Sequence, residues 1–155
     1  MNSKYINIYN NLVNLTRNKD LYIKLNKQDT FSDRLIFLLL HLAFFLKRFK
    51  NDSNKALLQD IYDFIFRQLE LSIREIGYGD QTINKKMKVY INLFYAMIDK
   101  IHDWDTSSNE LKKSILLSFL DKNIYHDDLI GYIDEYIKNL SNNSLNFYIK
   151  GVVKM

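Results

Sequence analysis

The side chains best equipped for chemistry are three histidines, at positions 41, 102 and 126, in a chain without cysteine. Lack of cysteine excludes disulfides, thiolate metal sites and cysteine nucleophiles. A zinc pair on a helix needs two histidines four residues apart, and no two of these are so placed. His102 beside Asp103, and His126 beside Asp127 and Asp128, read as surface residues at helix ends or in loops. A Ser-His-Asp set can be drawn on paper, but no nucleophile elbow and no strand pattern exists to carry it. Gly77-x-Gly79 lacks the third glycine of a dinucleotide loop and follows a helical pattern where that loop requires a strand. A helical hydrolase or transferase would need a pocket of convergent, pKa-shifted groups. These residues therefore predict no enzyme, no metal site and no cofactor.

The basic residues fall in small groups: Lys47, Arg48 and Lys50; Lys85, Lys86 and Lys88; Lys112 and Lys113. Each group reads as a solvated helix face or end. The net charge of +4 permits attraction to anionic lipid or RNA phosphate without demanding either. No RNA-binding signature accompanies it, and DNA is not expected as a partner. One polar stripe stands apart. Arg34, His41 and Arg48 are spaced by seven and bracket the apolar run LIFLLLHLAFFL at 35–46. A polar residue amid apolar neighbours must find a hydrogen-bond partner, which makes this stripe a candidate surface for a partner.

Helices must position these groups. The chain has 155 residues, no proline and four glycines, which favours helices joined by short polar loops. Apolar spacing predicts helices over 5–17, 20–25, 31–49, 55–76, 83–103, 110–122 and 127–140, with 145–152 a final turn or an extended segment. Thr30 and Asp33 give the third helix a capping-box start, and Thr82 is the expected cap of the fifth. Gly77 suits the left-handed residue that closes the fourth. Acid-first pairs Asp63–Arg67 and Glu70–Arg74 lie one turn apart on that helix. The reading is all-α, a single-domain bundle of about six or seven helices. The 35–46 run is too short for a membrane span, which needs about 20 apolar residues, and reads as the middle of a bundle. MNSKYINIYNNLVNL has no charged start, apolar run and small-residue cleavage site, so no secretory signal is expected.

Four segments in order carry a resemblance. They are YNNLVNLTRNKDLYIKL at 9–25, DTFSDRLIFLLLHLAFFLKRF at 29–49, REIGYGD at 74–80 followed by KKMKVYINLFYAMI at 85–98, and YIDEYIKNL followed by IKGVVKM. Together, from about Tyr9 to Val152, they resemble the ubiquinol–cytochrome c chaperone family, bacterial relatives of mitochondrial cytochrome b assembly factors. The resemblance implies one all-α chaperone domain over 1–155, with no catalytic residue. It would bind cytochrome b early in assembly of the ubiquinol–cytochrome c reductase (bc) complex. It also implies a place in the bacterial cytoplasm, peripheral to the inner face of the membrane, with a small helper protein and the ribosome exit region as further partners.

Positions matched to the family are Asp29, Thr30, Arg34, His41, Arg74, Gly77, Gly79, Asp80, Lys85, Lys86, Phe94 and Tyr95. Of these, with Arg48 added from the stripe, the expected partner-binding set is Arg34, His41, Arg48, Arg74, Asp80, Lys85, Lys86 and Tyr95. The expected mechanism is capture of a client's apolar helices by an adaptable aromatic–aliphatic groove. The competing reading is a peripheral helical module that binds an anionic membrane surface and has no chaperone role.

Overall fold

The computed structural model describes residues 4–151, and among them there are eight α-helices and no strand. They are α1 (Ile6–Thr16), α2 (Lys19–Lys24), α3 (Phe31–Phe49), α4 (Lys55–Glu75), α5 (Asp80–Lys100), α6 (Asn109–Leu117), α7 (His126–Leu140) and α8 (Leu145–Lys150). Short 3-10 turns at Asp52–Asn54 and Trp104–Thr106 precede α4 and α6. The architecture is an all-α, single-domain bundle built around α3.

α3 explains the apolar run. It packs against α1, α5 and α7, so no side of its middle reaches water. Every residue from Phe37 to Phe45 is buried, which is why the pattern is apolar all round instead of striped. The capping box forms as expected. Thr30 Oγ1 accepts from the Asp33 amide at 3.1 Å, and the Asp33 carboxylate accepts from the Thr30 amide at 3.4 Å. Lys27 Nζ bridges that same carboxylate and Asp121, at 2.7 Å each. Burial lowers the Lys27 pKa, but the bonds to the two carboxylates outweigh it and the net shift is upward. No helix among the described residues is long and apolar enough to cross a membrane.

Boundaries differ from the periodicity where turn chemistry intervenes. α5 starts at Asp80, not Ile83, with Gly79 and not Thr82 in the capping position. Asp80 in its first turn is drawn to Arg74 of α4, whose Nη1 donates to it at 2.6 Å. Gly77, at φ +105, makes the reversal between the two helices. α5 ends at Lys100, three residues early, because the chain tightens to deliver Trp104 into the core, where it is fully buried. α6 stops at Leu117, since 3-10-type bonds from Ser118 and Phe119 close its last turn.

The segment after Ser144, expected as a final turn or an extended segment, is a helix over Leu145–Lys150. Ser144 caps it, and Gly151 ends it at φ +65, where a Cβ would run into the Asn7 side chain. Val152, the last residue of that segment, lies outside the described residues.

Candidate functional site

The expected stripe on α3 separates into three different environments. His41 is sealed inside, 3% exposed. Its Nδ1 lies 2.6 Å from the Phe37 carbonyl, which can only accept, so the ring proton sits on Nδ1. Nε2 is then the acceptor for the Tyr132 hydroxyl of α7, also at 2.6 Å. The Tyr136 hydroxyl donates to the His41 carbonyl at 3.2 Å, and both tyrosine rings stand edge-on to the imidazole. Burial pushes the His41 pKa down to about 4, opposed only in part by the Phe37 bond, and pushes Tyr132 up to about 12. The void at this seat is about 10 Å³. His41 was expected to face a partner. It lies inside the bundle instead and joins α3 to α7 with every polar atom satisfied.

Arg34 is half-buried and grips Asp29 with two bonds, Nε at 2.6 Å and Nη2 at 3.0 Å. That pairing raises its pKa and lowers that of Asp29. Arg48 is exposed, donates to Ser141 Oγ at 2.9 Å and lies 5.2 Å from the Phe49 ring centre. Arg74, Asp80, Lys85 and Lys86 gather at the α4–α5 turn. There Arg74 also bonds Glu70 at 3.3 Å, and the Lys86 ammonium sits 4.8 Å above the Tyr78 ring. Ile76, which follows the last residue of α4, is 50% exposed near Tyr78, itself 42% exposed.

Tyr95 lies elsewhere, near the opposite end of α5. It lines an open groove of about 670 Å³. Three helices build it: the last turns of α3 supply Ala43, Leu46, Lys47 and Lys50; the first turns of α4 supply Lys55, Leu58, Gln59 and Tyr62; the last turns of α5 supply Phe94, Tyr95, Ile98 and Ile101. Asn51, Asp52 and His102 complete the rim. The floor is aromatic. The Tyr62 and Phe66 rings are 4.5 Å apart, and Tyr62 also meets Phe94 at 5.6 Å and Tyr95 at 6.1 Å. Burial and the neighbouring Tyr95 hydroxyl hold the Tyr62 phenol well above its ordinary pKa. Tyr95 and Ile98 remain 56% and 37% exposed. Nothing among the described residues covers them. A concave apolar surface with a polar rim is how a protein presents a binding site.

The eight expected partner residues thus fall in separate places, and Tyr95 is the one within the groove. Of its other members, Leu46, Lys47 and Tyr62 are half-buried and Lys50 and Ile98 exposed, and all five read from the sequence as core or solvated face. A signal existed in the basic group Lys47, Arg48 and Lys50, which marks the exit of α3 beside the groove.

Two residues read as surface are instead internal. His126 is 5% exposed and donates from Nε2 to the Asp121 carbonyl at 3.0 Å, while its Nδ1 has no hydrogen-bond partner. Lys112, 8% exposed, bonds Asp134 of α7 at 3.2 Å and stands 5.1 Å from the Trp104 ring centre. Trp104 Nε1 donates to the same carboxylate at 2.9 Å. This network ties α6 to α7 and shows why Lys112, unlike Lys113, is not part of a solvated face. Asp63, expected to pair with Arg67, accepts from Gln59 at 2.9 Å, whereas Glu70–Arg74 forms as expected. The described residues hold no cluster of three or more His, Asp and Glu fit for a metal ion.

Residues 24–154 match the family described as Ubiquinol-cytochrome C chaperone. Most of the opening 9–25 segment lies outside that match, while the other three similar segments fall within it except for the final Met155. A solved structure, the crystal structure of the Cbp3 homolog from Brucella abortus, has the same fold, with a TM-score of 0.77 at 24% identity. The similarity covers 98% of this chain and 88% of that one. None of the curated proteins compared matches the chain.

Proposed function

The chain belongs to the ubiquinol–cytochrome c chaperone family, and from that premise we propose that it binds cytochrome b and supports assembly of the bc complex. The open groove between α3, α4 and α5 carries the reading. Unassembled cytochrome b presents apolar helices, and a groove floored by Tyr62, Phe94, Tyr95 and Ile98 offers them an apolar surface while its polar rim stays wet. No reacting groups are needed, because the work is coverage: apolar surface that would aggregate is held until its proper neighbours arrive.

In this proposal the protein works at the inner face of the cytoplasmic membrane without spanning it. The basic groups at the α4–α5 turn, Lys85 and Lys86, and the exposed Arg48 supply secondary contacts to the client or to anionic lipid headgroups. Arg34, Arg74 and Asp80 are engaged in pairs that shape the surface next to those contacts. A small helper protein and the ribosome exit region are further partners in the same scheme.

The test is affinity capture of the tagged chain from cells with and without cytochrome b, combined with deletion of its gene. Cytochrome b is expected in the eluate, and bc complex levels are expected to fall on deletion. If cytochrome b never co-purifies and the complex is unchanged, the proposal fails. If anionic liposomes bind without cytochrome b and release in raised salt, the peripheral-module reading takes its place.

A further inference from the structure

We propose that the groove takes a helical segment of its client in one orientation, with acidic residues at the end of the segment that lies beside Lys50 and Lys55. The inference rests on the reading of the groove as the client site and adds which chemistry it selects.

Charge is distributed unevenly along the groove. The end formed by the α3–α4 connection carries Lys50 and Lys55, both exposed and without an ion pair among the described residues. Lys47, also there, is engaged by Asp105 at 3.0 Å. Asp52 is the single acidic lining residue among the described ones. α4 continues the 3-10 turn Asp52–Asn54, where Asn51 Oδ1 caps the Asn54 amide and the Lys55 amide bonds the Asp52 carbonyl, so the positive charge at this end is that of the lysines. Along the α5 wall, by contrast, the groove is apolar, through Tyr95 and Ile98, with Leu46 and Tyr62 opposite.

An occupant that complements both features is apolar along one face and anionic at one end. A helix presents such a face through residues at i, i+3, i+4 and i+7. A bilayer surface is flat and does not enter a concavity between three helices, and a lone acyl chain leaves the charge of Lys50 and Lys55 unmatched. A helical peptide segment fits both the shape and the charge.

The probe is a pair of synthetic amphipathic peptides, each about 16 residues long so that a helix is attainable. They share one leucine face and differ in carrying two glutamates or two lysines at one end. Binding to the full-length protein is followed by fluorescence anisotropy at low and raised salt. The glutamate peptide is expected to bind about tenfold more tightly than the lysine peptide, with the difference shrinking in salt. In the double variant Lys50→Glu/Lys55→Glu the preference is expected to reverse, which a merely misfolded protein does not do. Helical content by circular dichroism checks the fold of that variant.

Equal binding of both peptides, or a preference that survives the double reversal, overturns the proposal. So does binding of neither peptide while vesicles of phosphatidylglycerol bind through the same lysines. A self-association that the reversal abolishes overturns it too, since the occupant is then a second copy. Capture of cytochrome b from cells is read separately, so client binding can stand while the acidic-end rule falls.

Discussion

Two faces of α3 are built from similar side chains and do opposite things. Toward α7, His41 meets Tyr132 and Tyr136 in a seat with a void of about 10 Å³, every polar atom of the histidine paired. Toward α4 and α5, Leu46 and Lys47 border a groove of about 670 Å³ whose tyrosines are stacked but only half covered. Aromatic content does not separate the two, since each is rich in tyrosine. What separates them is whether a helix lies on top. α7 closes the first, and no described element closes the second. The first face therefore contributes stability, and the second keeps apolar surface available at some cost in stability.

The largest effect expected from this contrast is on folding. Phe44 is 1% exposed, edge-on to Trp104 at 5.0 Å, and lines the small void. Phe44→Ala is expected to destabilise the protein by about 3–5 kcal/mol. Ile98→Ala, in the groove wall, should cost about 0.5 kcal/mol or less. Urea unfolding of both variants reads the difference, and similar losses would erase the distinction between the faces.

The next effect is in the pH dependence. The buried His41 titrates near 4 against an ordinary 6.5, so between those values the unfolded chain holds a proton that the folded one refuses. Its contribution to stability is fully present above pH 6.5, falls as the pH drops through that window, and levels off below about 4. The loss amounts to about 3 kcal/mol. His41→Gln does not titrate, and its stability should stay flatter from pH 6.5 to 4 than that of the parent protein. Parallel curves would mean that the imidazole is not desolvated as its burial indicates.

The same contrast marks where sequence reasoning succeeds. The continuous run from Phe37 to Phe45 announces a helix surrounded on all sides, and the Thr30–Asp33 cap sits where its spacing puts it. Both signals are local, so periodicity and capping chemistry suffice. His41 shows the limit. On a heptad stripe with Arg34 and Arg48 it reads as one surface, but whether a stripe is exposed depends on the helix that packs against it. α7 lies 91 residues away at the Tyr132 contact. Lys112 fails for the same reason, because Asp134 and Trp104 come from other elements. The groove was legible only through Tyr95 and the basic group at the exit of α3, two of whose lysines line it. A concavity is the absence of a fourth helix, and no local pattern encodes an absence.

The smallest effect on stability is expected to be the most telling for function. Tyr95 is 56% exposed and touches its neighbours mainly through the edge of the aromatic floor. Tyr95→Ser should change stability by about 0.5 kcal/mol or less. Central aromatic residues nevertheless dominate binding at interfaces, so cytochrome b capture is expected to fall by about fivefold or more. His41→Gln, measured alongside, should leave capture unchanged while altering the pH profile. That pair of outcomes dissociates the two faces: one substitution moves binding without stability, the other moves stability without binding. If Tyr95→Ser leaves capture intact while Lys86→Glu at the α4–α5 turn abolishes it, the client contact lies at the turn. The groove is then only a gap in the packing. The separation is geometrically clean, because Tyr62 and Glu75 are about 20 Å apart along α4 at a rise of ~1.5 Å per residue, so a substitution at one end does not perturb the other directly.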